Sequence, residues 1–541
     1  MRVMRLRLAL ATGVGDAANR WVQLAHHIPW NRLVDAYTDG LSARQGRPAK
    51  DGRLVIGALI IKHKLGLSDR ETVAQIQENP YLQYFVGLSG YQSKAPFTPS
   101  LFVQIRKRMG QRVFDAFEQA IVDAVEPRKT HSKSKESAAQ PSERTQVDVP
   151  QDTSPAKAPI DPEPKESEDQ QKTHRGKLIV DATIAPQKIR YPTDLSLLNE
   201  ARERSEQIID ALYPHTPLDK KPRTYRQNAR KAYLNLVKQK RPGTKRIRKA
   251  IKQQLNYLRR NLAHIERRLE PFPIGRPLPL SGRLLYRYWV IQHVYAQQTH
   301  LYRQRSRRCD DRIVSISQPY VRPIQRGKVD KPTEFGAKLS VSLTHEGIAQ
   351  VNHIRWNAFH EGHDLPDQVE AYKRRYGFYP EVVLADTVYG SRDNRRYLKQ
   401  RTIRFAGKPL GRPKKRTEEN RQTIKEQEAS RREEYRQRIP IEGTFGQGKN
   451  GYGLNAIPAK RADTSLAWIR AIFFVMNLLV LIKEVFSDLK ITYGYRLGLP
   501  IVPFMTYWTR LHNAPRWTLV WLNPTPPSRS TQQQADFLSR L

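Results

Sequence analysis

The stretch YRQRIPIEGTFGQGK, Tyr435 to Lys449, decides how the chain is read. Tyr435, Arg438, Glu442 and Lys449 stand three, four and seven residues apart, which puts them on roughly one face of a helix. That face carries one carboxylate, two cations and one phenol. A carboxylate holds hard cations, while cations and hydroxyls grip phosphates. Far upstream, KLIVDAT ends a short apolar run on Asp181, and EVVLADTVYG ends another on Asp386. A lone aspartate after a strand is usually a turn residue or a helix cap. Two such aspartates and a glutamate on a later helix make a candidate carboxylate triad for two divalent ions.

Composition points the same way. The 541 residues carry 94 Lys and Arg against 52 Asp and Glu, a formal charge of +42. Such an excess favours a polyanionic partner, nucleic acid first, with a ribosomal or membrane surface as the blander alternatives. The single cysteine, Cys309, excludes an internal disulfide and a cysteine zinc cluster, so a reducing compartment, the cytoplasm, is expected. The longest apolar run, AIFFVMNLLVLI at Ala471 to Ile482, is short for a membrane span and contains Asn477, so it reads as a buried helix. The leader MRVMRLRLALATGVG mimics a signal peptide, but its apolar part is barely long enough and ends in glycines.

Four regions follow along the chain. Residues 17–125 read as an all-α domain. RLVIGALIIKHKLG and SDRETVAQIQENPYLQYFVG are two helices joined at Gly66, with a capping box between Ser68 and Glu71. Helix, tight turn, helix is the pattern of a DNA-reading helix-turn-helix, and equally of a packing hairpin. The basic helix Leu101 to Arg112 adds phosphate-binding potential. Residues 126–176 are rich in Pro, Ser and charge and read as a disordered linker. Residues 177–485 give strand, hairpin, helix, strand, helix, strand, helix, interrupted by a basic helical insertion at about 195–333. Within it Gly243 separates two helices, and Ile247, Ile251, Leu255, Leu258, Leu262 and Ile265 form an apolar stripe. Residues 486–541 form a tail to which the sequence assigns no function.

The three motifs resemble those of the DDE transposases of bacterial insertion sequences, in the large group built around insertion sequences four and five. The shared features are the Tyr435, Arg438, Glu442, Lys449 signature and the fragments DATIAPQKIRYPTD and ADTVYGSRDN. The resemblance covers roughly residues 17–485, apart from the linker and part of the insertion. It implies an α/β catalytic domain of RNase H-like fold, in which Asp181, Asp386 and Glu442 converge as catalytic metal ligands. It implies Mg²⁺ or Mn²⁺ as cofactor, with Tyr435, Arg438 and Lys449 on DNA. It also implies double-stranded DNA, both transposon ends and target, as substrate, and a homodimer or higher synaptic complex, with no membrane partner. The rivals are an RNase H-like nuclease without strand transfer and a catalytically inactive relative that only binds DNA.

Other motifs read more plainly. FHEGHDL places His360 and His363 three apart with Glu361 between them, whereas the zincin pattern needs histidines four apart. Hydrogen bonding at a strand end is the expected role there, and Asp364 reads as the cap of the next helix. The short basic loops GRPAK at Gly46 and GRPKK at Gly411 fit a minor-groove arginine hook or a solvated turn. Asp393 reads as charge compensation at a helix start.

Overall fold

The segment KLIVDATIAP, with Ile179, Val180, Thr183 and Ile184 favouring extended backbone, forms strand β1, Lys177–Pro186. The other strands are β2 (Arg322–Gln325), β3 (Thr333–Thr344), β4 (Ala349–Arg355), β5 (Val382–Ala385) and β6 (Arg404–Ala406). In the computed structural model, residues 19–39, 41, 48–136, 174–216, 220–273, 275, 277–325, 333–408, 410–411, 417–418 and 420–497 are described, with side chains outside 126–136 and 483–497. Most of the linker, Arg47 and Arg412 of the two Gly-Arg-Pro loops, and the tail beyond Leu497 lie outside these residues. By internal contacts the chain divides into two units, Met1–Leu481 and Ile482–Leu541, and the account below concerns the first.

The sheet runs β2-β3-β1-β5-β6, with β4 also paired to β3. β1 is antiparallel to β3, from Leu178 opposite Thr344 to Pro186 opposite Gly336. It is parallel to β5, with Val180 opposite Ala385, so the next residues on the two strands are Asp181 and Asp386. β6 continues the parallel half. β3 and β4 form the expected hairpin, and β2 lies inside the span read as helical insertion. β2 has only four residues, RPIQ, and begins beside a proline, so it carries no readable alternation of its own. It forms because the long strand β3 offers it an edge.

Helix α12, Leu365–Tyr376, covers one face of the sheet, packing Leu365, Val369 and Tyr372 against Leu178, Val180 and Val383. Each fully buried aliphatic side chain contributes on the order of 2 kcal/mol. Helix α13, Arg392–Gln400, adds Leu398 to the same cluster. Helix α14, Arg421–Gly451, carries the signature and lies against β1, β5 and β6. Helix α15, Ala462–Leu497, holds the apolar run. By length and composition its Ala462–Ile482 stretch is able to cross a membrane, but 78% of that window is buried inside the protein. Asn477, the polar residue within it, accepts from Ala349 N at 2.9 Å and donates to Ala349 O at 2.7 Å. It therefore ties α15 to the start of β4.

The N-terminal helices are α1 (Arg20–His27), α2 (Trp30–Thr38), α3 (Gly52–Leu65), α4 (Asp69–Glu78), α5 (Pro80–Phe85), α6 (Leu101–Arg108) and α7 (Gln111–Glu136). α3 ends on Gly66 in the left-handed region, φ 66°, which costs glycine no Cβ clash. Ser68 and Glu71 form the reciprocal capping box that starts α4. The second helix of the predicted pair is in fact two. Asn79 accepts from Tyr81 N and Leu82 N, and Pro80 opens α5, so the α4 ladder cannot continue. α3 is buried continuously from Leu54 to His63 and serves as a core helix. α7 runs on to Glu136, eleven residues beyond the expected domain end at 125. α15 likewise passes the expected boundary at 485.

The insertion comprises α8 (Asp194–Leu212), α9 (Arg226–Val237), α10 (Thr244–Leu269) and α11 (Gly282–Gln304). Gly243 caps α10. Leu255, Leu258, Leu262 and Ile265 join Ile208, Ile209, Ile291 and Val294 in one core, while Ile247 packs with Leu195, Tyr233 and Leu236 in a smaller one.

Candidate active site

The parallel pairing of β1 with β5 puts Asp181 and Asp386 on neighbouring strands, and α14 crosses over them. Lys177 Nζ donates to Gln437 Oε1 at 2.8 Å, and Arg404 of β6 pairs with Glu434, so both strands hold the helix in place. Ile441 and Phe445 are its buried anchors. Pro440 interrupts the ladder within α14, and Thr444 Oγ1 donates to Pro440 O at 2.9 Å.

Arg438 is the centre of the site. It is buried, with its Nη2 donating to Glu442 Oε1 at 2.8 Å and its Nη1 lying 3.4 Å from Asp181 Oδ2. Its guanidinium stands 5.1 Å from the centre of the Tyr435 ring, and Tyr435 itself is 61% exposed. Asp386 is exposed, and its Oδ1 accepts from Thr387 N at 2.6 Å, which opens the short 3-10 turn Thr387–Tyr389. Asp181 is mostly buried, with Oδ1 accepting from Ala182 N at 2.8 Å. Burial pushes its carboxyl up to about 6. The Ala182 N–H and Arg438 oppose the shift, and the like charges of Glu361 and Asp386 add to it. Lys449 lies two turns beyond Glu442 and is half-buried.

Of the six residues read from the sequence, Asp181, Glu442, Arg438 and Tyr435 thus form one connected set, with Asp386 beside Asp181. Among the described residues, no three His, Cys, Asp or Glu side chains stand close enough together to hold one ion. The cation between Asp181 and Glu442 is Arg438. Two clefts of about 780 and 800 Å³ open elsewhere, and neither is lined by Asp181, Asp386 or Glu442.

Two family models match this chain, and both are transposase domains. One, "Transposase domain (DUF772)", matches residues 14–108. The other, "Transposase DDE domain", matches residues 383–479 and so takes in Asp386, Tyr435, Arg438, Glu442 and Lys449 but begins after Asp181. Both matches are consistent with a DDE transposase. A 103-residue stretch, 19% of the chain, is 40% identical to "Uncharacterized protein ORF8 in nfe locus" of Rhizobium meliloti. The matched stretch spans about half, 49%, of that relative's length. No solved structure matches the chain.

Glu361, one of the like charges acting on Asp181, is a residue that the sequence does not single out. It belongs to a 3-10 turn, Glu361–Asp364, and pairs with Lys338 Nζ at 3.1 Å. The His360 and His363 rings lie 4.8 Å apart, tilted by 35°. Asp364 does occupy the helix cap position, but its carboxylate is taken by Arg355 at 2.7 Å and bonds no helix N–H. The expected phosphate-binding role of helix α6 also changes. Arg106 is buried in a bidentate pair with Asp69 at 3.0 and 2.7 Å, Lys62 joins the same carboxylate at 2.9 Å, and both cations face the Trp468 ring. Lys107 and Arg108 remain exposed.

Proposed function

We propose that the protein is a DNA transposase that binds the inverted-repeat ends of an insertion sequence, cuts them and joins them to target DNA. The observation that carries this reading is the convergence of Asp181 and Glu442 on Arg438 beside Asp386, in a chain matched by two transposase domains. The sheet order, three antiparallel strands followed by two parallel ones, with α12 and α14 packed against it, supports an RNase H-like catalytic core.

Asp181, Asp386 and Glu442 are the residues that would hold divalent ions. The donor set is all oxygen, as Mg²⁺ or Mn²⁺ prefers. Asp181 sits among like charges that a cation relieves. When bound, a pair of such ions activates the attacking oxygen and neutralises the leaving one. Arg438 and the ions then compete for the same two carboxylates. Arg438 would then be free to neutralise a backbone phosphate, and exposed Tyr435 would pack against the strand near the cut. Lys449, two turns on, adds a second phosphate contact. The chemistry would be hydrolysis at the transposon end, leaving a 3′-hydroxyl, and then attack of that hydroxyl on target phosphate. The protein would work as a homodimer or larger synaptic complex in the bacterial cytoplasm.

The test is cleavage of labelled DNA carrying the element's own ends, comparing wild type with Asp181→Ala. Mg²⁺-dependent nicking at the repeat boundary, lost in the variant, is expected. Tight end binding without cleavage by either protein would replace this reading with that of a DNA-binding relative.

A further inference from the structure

Between Asp219 and Glu266 the sequence contains no acid, and residues 220–265 hold 16 Lys and Arg. Over the whole chain acids number 52 in 541, about one in ten. The acid-free interval spans α9, the turn after it and most of α10.

Some of these cations hold the fold. Arg226 and Lys221 pair with Asp210 at 2.9 and 2.8 Å. Arg248 donates to Tyr302 O at 3.1 Å with its guanidinium 4.2 Å from that ring's centre, and Arg260 lies 4.5 Å from the centre of the Tyr225 ring. Others face outward. Lys245, Lys249, Lys252, Asn256, Arg259 and Ala263 are all exposed and follow one another at four- and three-residue steps, so they form one stripe along α10. Leu255, Leu258, Leu262 and Ile265 give the helix its core side. Among the described residues the cations of the stripe make no ion pair.

This arrangement costs the helix stability while nothing covers it. Lys245 and Lys249 are like charges one turn apart, and α10 has no acid in its first turn to balance the positive end of its dipole. The preceding turn, 238–243, brings Lys238, Lys240 and Arg241 to the same end. A polyanion lying along the stripe removes both penalties. From Lys245 to Arg259 the charges extend over about 21 Å, at ~1.5 Å per residue. A DNA duplex is a rod of the opposite sign, with a charge about every 1.7 Å of its axis. All but Arg259 of these cations are lysines, whose flexible point charge suits phosphate oxygens better than the bidentate reading of base edges.

We propose that the exposed stripe of Lys245, Lys249, Lys252 and Arg259 on α10 is a second DNA-docking surface, outside the Asp181, Asp386, Glu442 set, which holds a duplex by its phosphate backbone and reads no bases. This inference rests on the transposase reading above and gives the helical insertion its partner.

The experiment is binding of the full-length protein to a short fluorescent duplex, followed by anisotropy over a series of salt concentrations. Wild type is compared with the triple variant Lys245→Gln, Lys249→Gln, Lys252→Gln, in which glutamine keeps a good helix propensity. A second triple variant, Lys373→Gln, Arg374→Gln, Lys399→Gln, removes the same charge from exposed positions of α12 and α13. Each lysine that meets a phosphate contributes about 0.9 to the slope of log K against log salt, so the stripe variant should lose about 2.7 of that slope and on the order of 100-fold in affinity near 0.1 M salt. The loss should be equal on the element's ends and on unrelated sequence. Tm without DNA should hold or rise, because repelling charges are gone. A loss confined to the ends overturns backbone docking. A fall in Tm assigns the lysines to the fold and overturns the inference. An equal loss from the α12–α13 variant does the same, because net charge and not the stripe would then set affinity. Unchanged duplex binding with lost binding to phosphatidylserine vesicles gives the stripe to a membrane surface instead. A wild-type slope in the stripe variant overturns the inference but leaves the transposase reading, which cleavage tests, standing. Absent or salt-insensitive duplex binding by the wild type overturns both.

Discussion

Arg438 shows at the scale of one residue how the site manages its charge. It supplies the positive charge between Asp181 and Glu442, two carboxylates that otherwise repel. Arg438→Gln is expected to lower Tm in EDTA, by about 1–3 kcal/mol of stability given that Glu442 is half-exposed. Mg²⁺ should restore part of that loss, and a melt with and without the ion measures it. Glu442→Gln keeps the bond to Arg438 but gives up the anionic ligand, so end binding should persist while cutting stops. Cutting by that variant would remove Glu442 from the ligand set. Gly336 is decisive in a different way. It faces Pro186 across the β1–β3 pair, where a Cβ would overlap Ala185 O and stand 2.7 Å from Pro186 Cα. Both obstacles are backbone in the central strand, so Gly336→Ala should cost on the order of 3 kcal/mol, read by chemical denaturation.

At the scale of elements, helix α15 and strand β4 depend on a side chain acting as a strand would. The Asn477 carboxamide pairs with both backbone groups of Ala349. Asn477→Leu fills the volume but leaves a buried N–H and C=O unpaired, and a loss of about 2–4 kcal/mol is expected in urea unfolding. That pairing also explains why the apolar run contains a polar residue. The capping box is worth less. Ser68→Ala should cost about 1 kcal/mol and fray the start of α4. Ser68 and Glu71 were readable because a cap is local chemistry. The break at Asn79–Pro80 was written just as locally, but the apolar periodicity of the flanking residues runs through it and masked it. β2 was not readable at all, since four residues on a sheet edge take their conformation from the partner strand.

Across the whole molecule, charge is divided between internal clamps and exposed surface. Arg375 Nη2 of α12 donates to Glu118 Oε2 of α7 at 3.0 Å, and Arg470 of α15, 3.7 Å from Asp115, adds its positive charge nearby. Burial nevertheless outweighs the two cations and pushes the Glu118 carboxyl up to about 7, from an ordinary 4.5. The folded protein then holds a proton that the unfolded chain releases between these values. The stability linked to this group is complete below about 4.5 and is lost as pH rises through about 7. Glu118→Gln should flatten the dependence of Tm on pH across that window, and an unchanged slope would exclude Glu118 as its source. On the proposed reading the exposed remainder of the +42 charge meets DNA, and binding to a duplex should weaken steeply with salt.

The sequence by itself determined the order of the elements other than β2 and the α4–α5 break, the capping box, the Gly243 break and the face shared by Tyr435, Arg438 and Glu442. Each of these rests on neighbours along the chain or on a spacing within two helical turns. Only the tertiary structure decided which charges were already taken. Arg106 and Lys62, basic in a basic helical pair, are neutralised by Asp69, while Glu361, read as part of a failed zinc pattern, is paired with Lys338 of β3. Partners 37 residues apart for Arg106, and 257 for Asp181 and Arg438, meet through strand pairing and helix packing. Periodicity carries no information about such distances, because burial and electrostatics act through space.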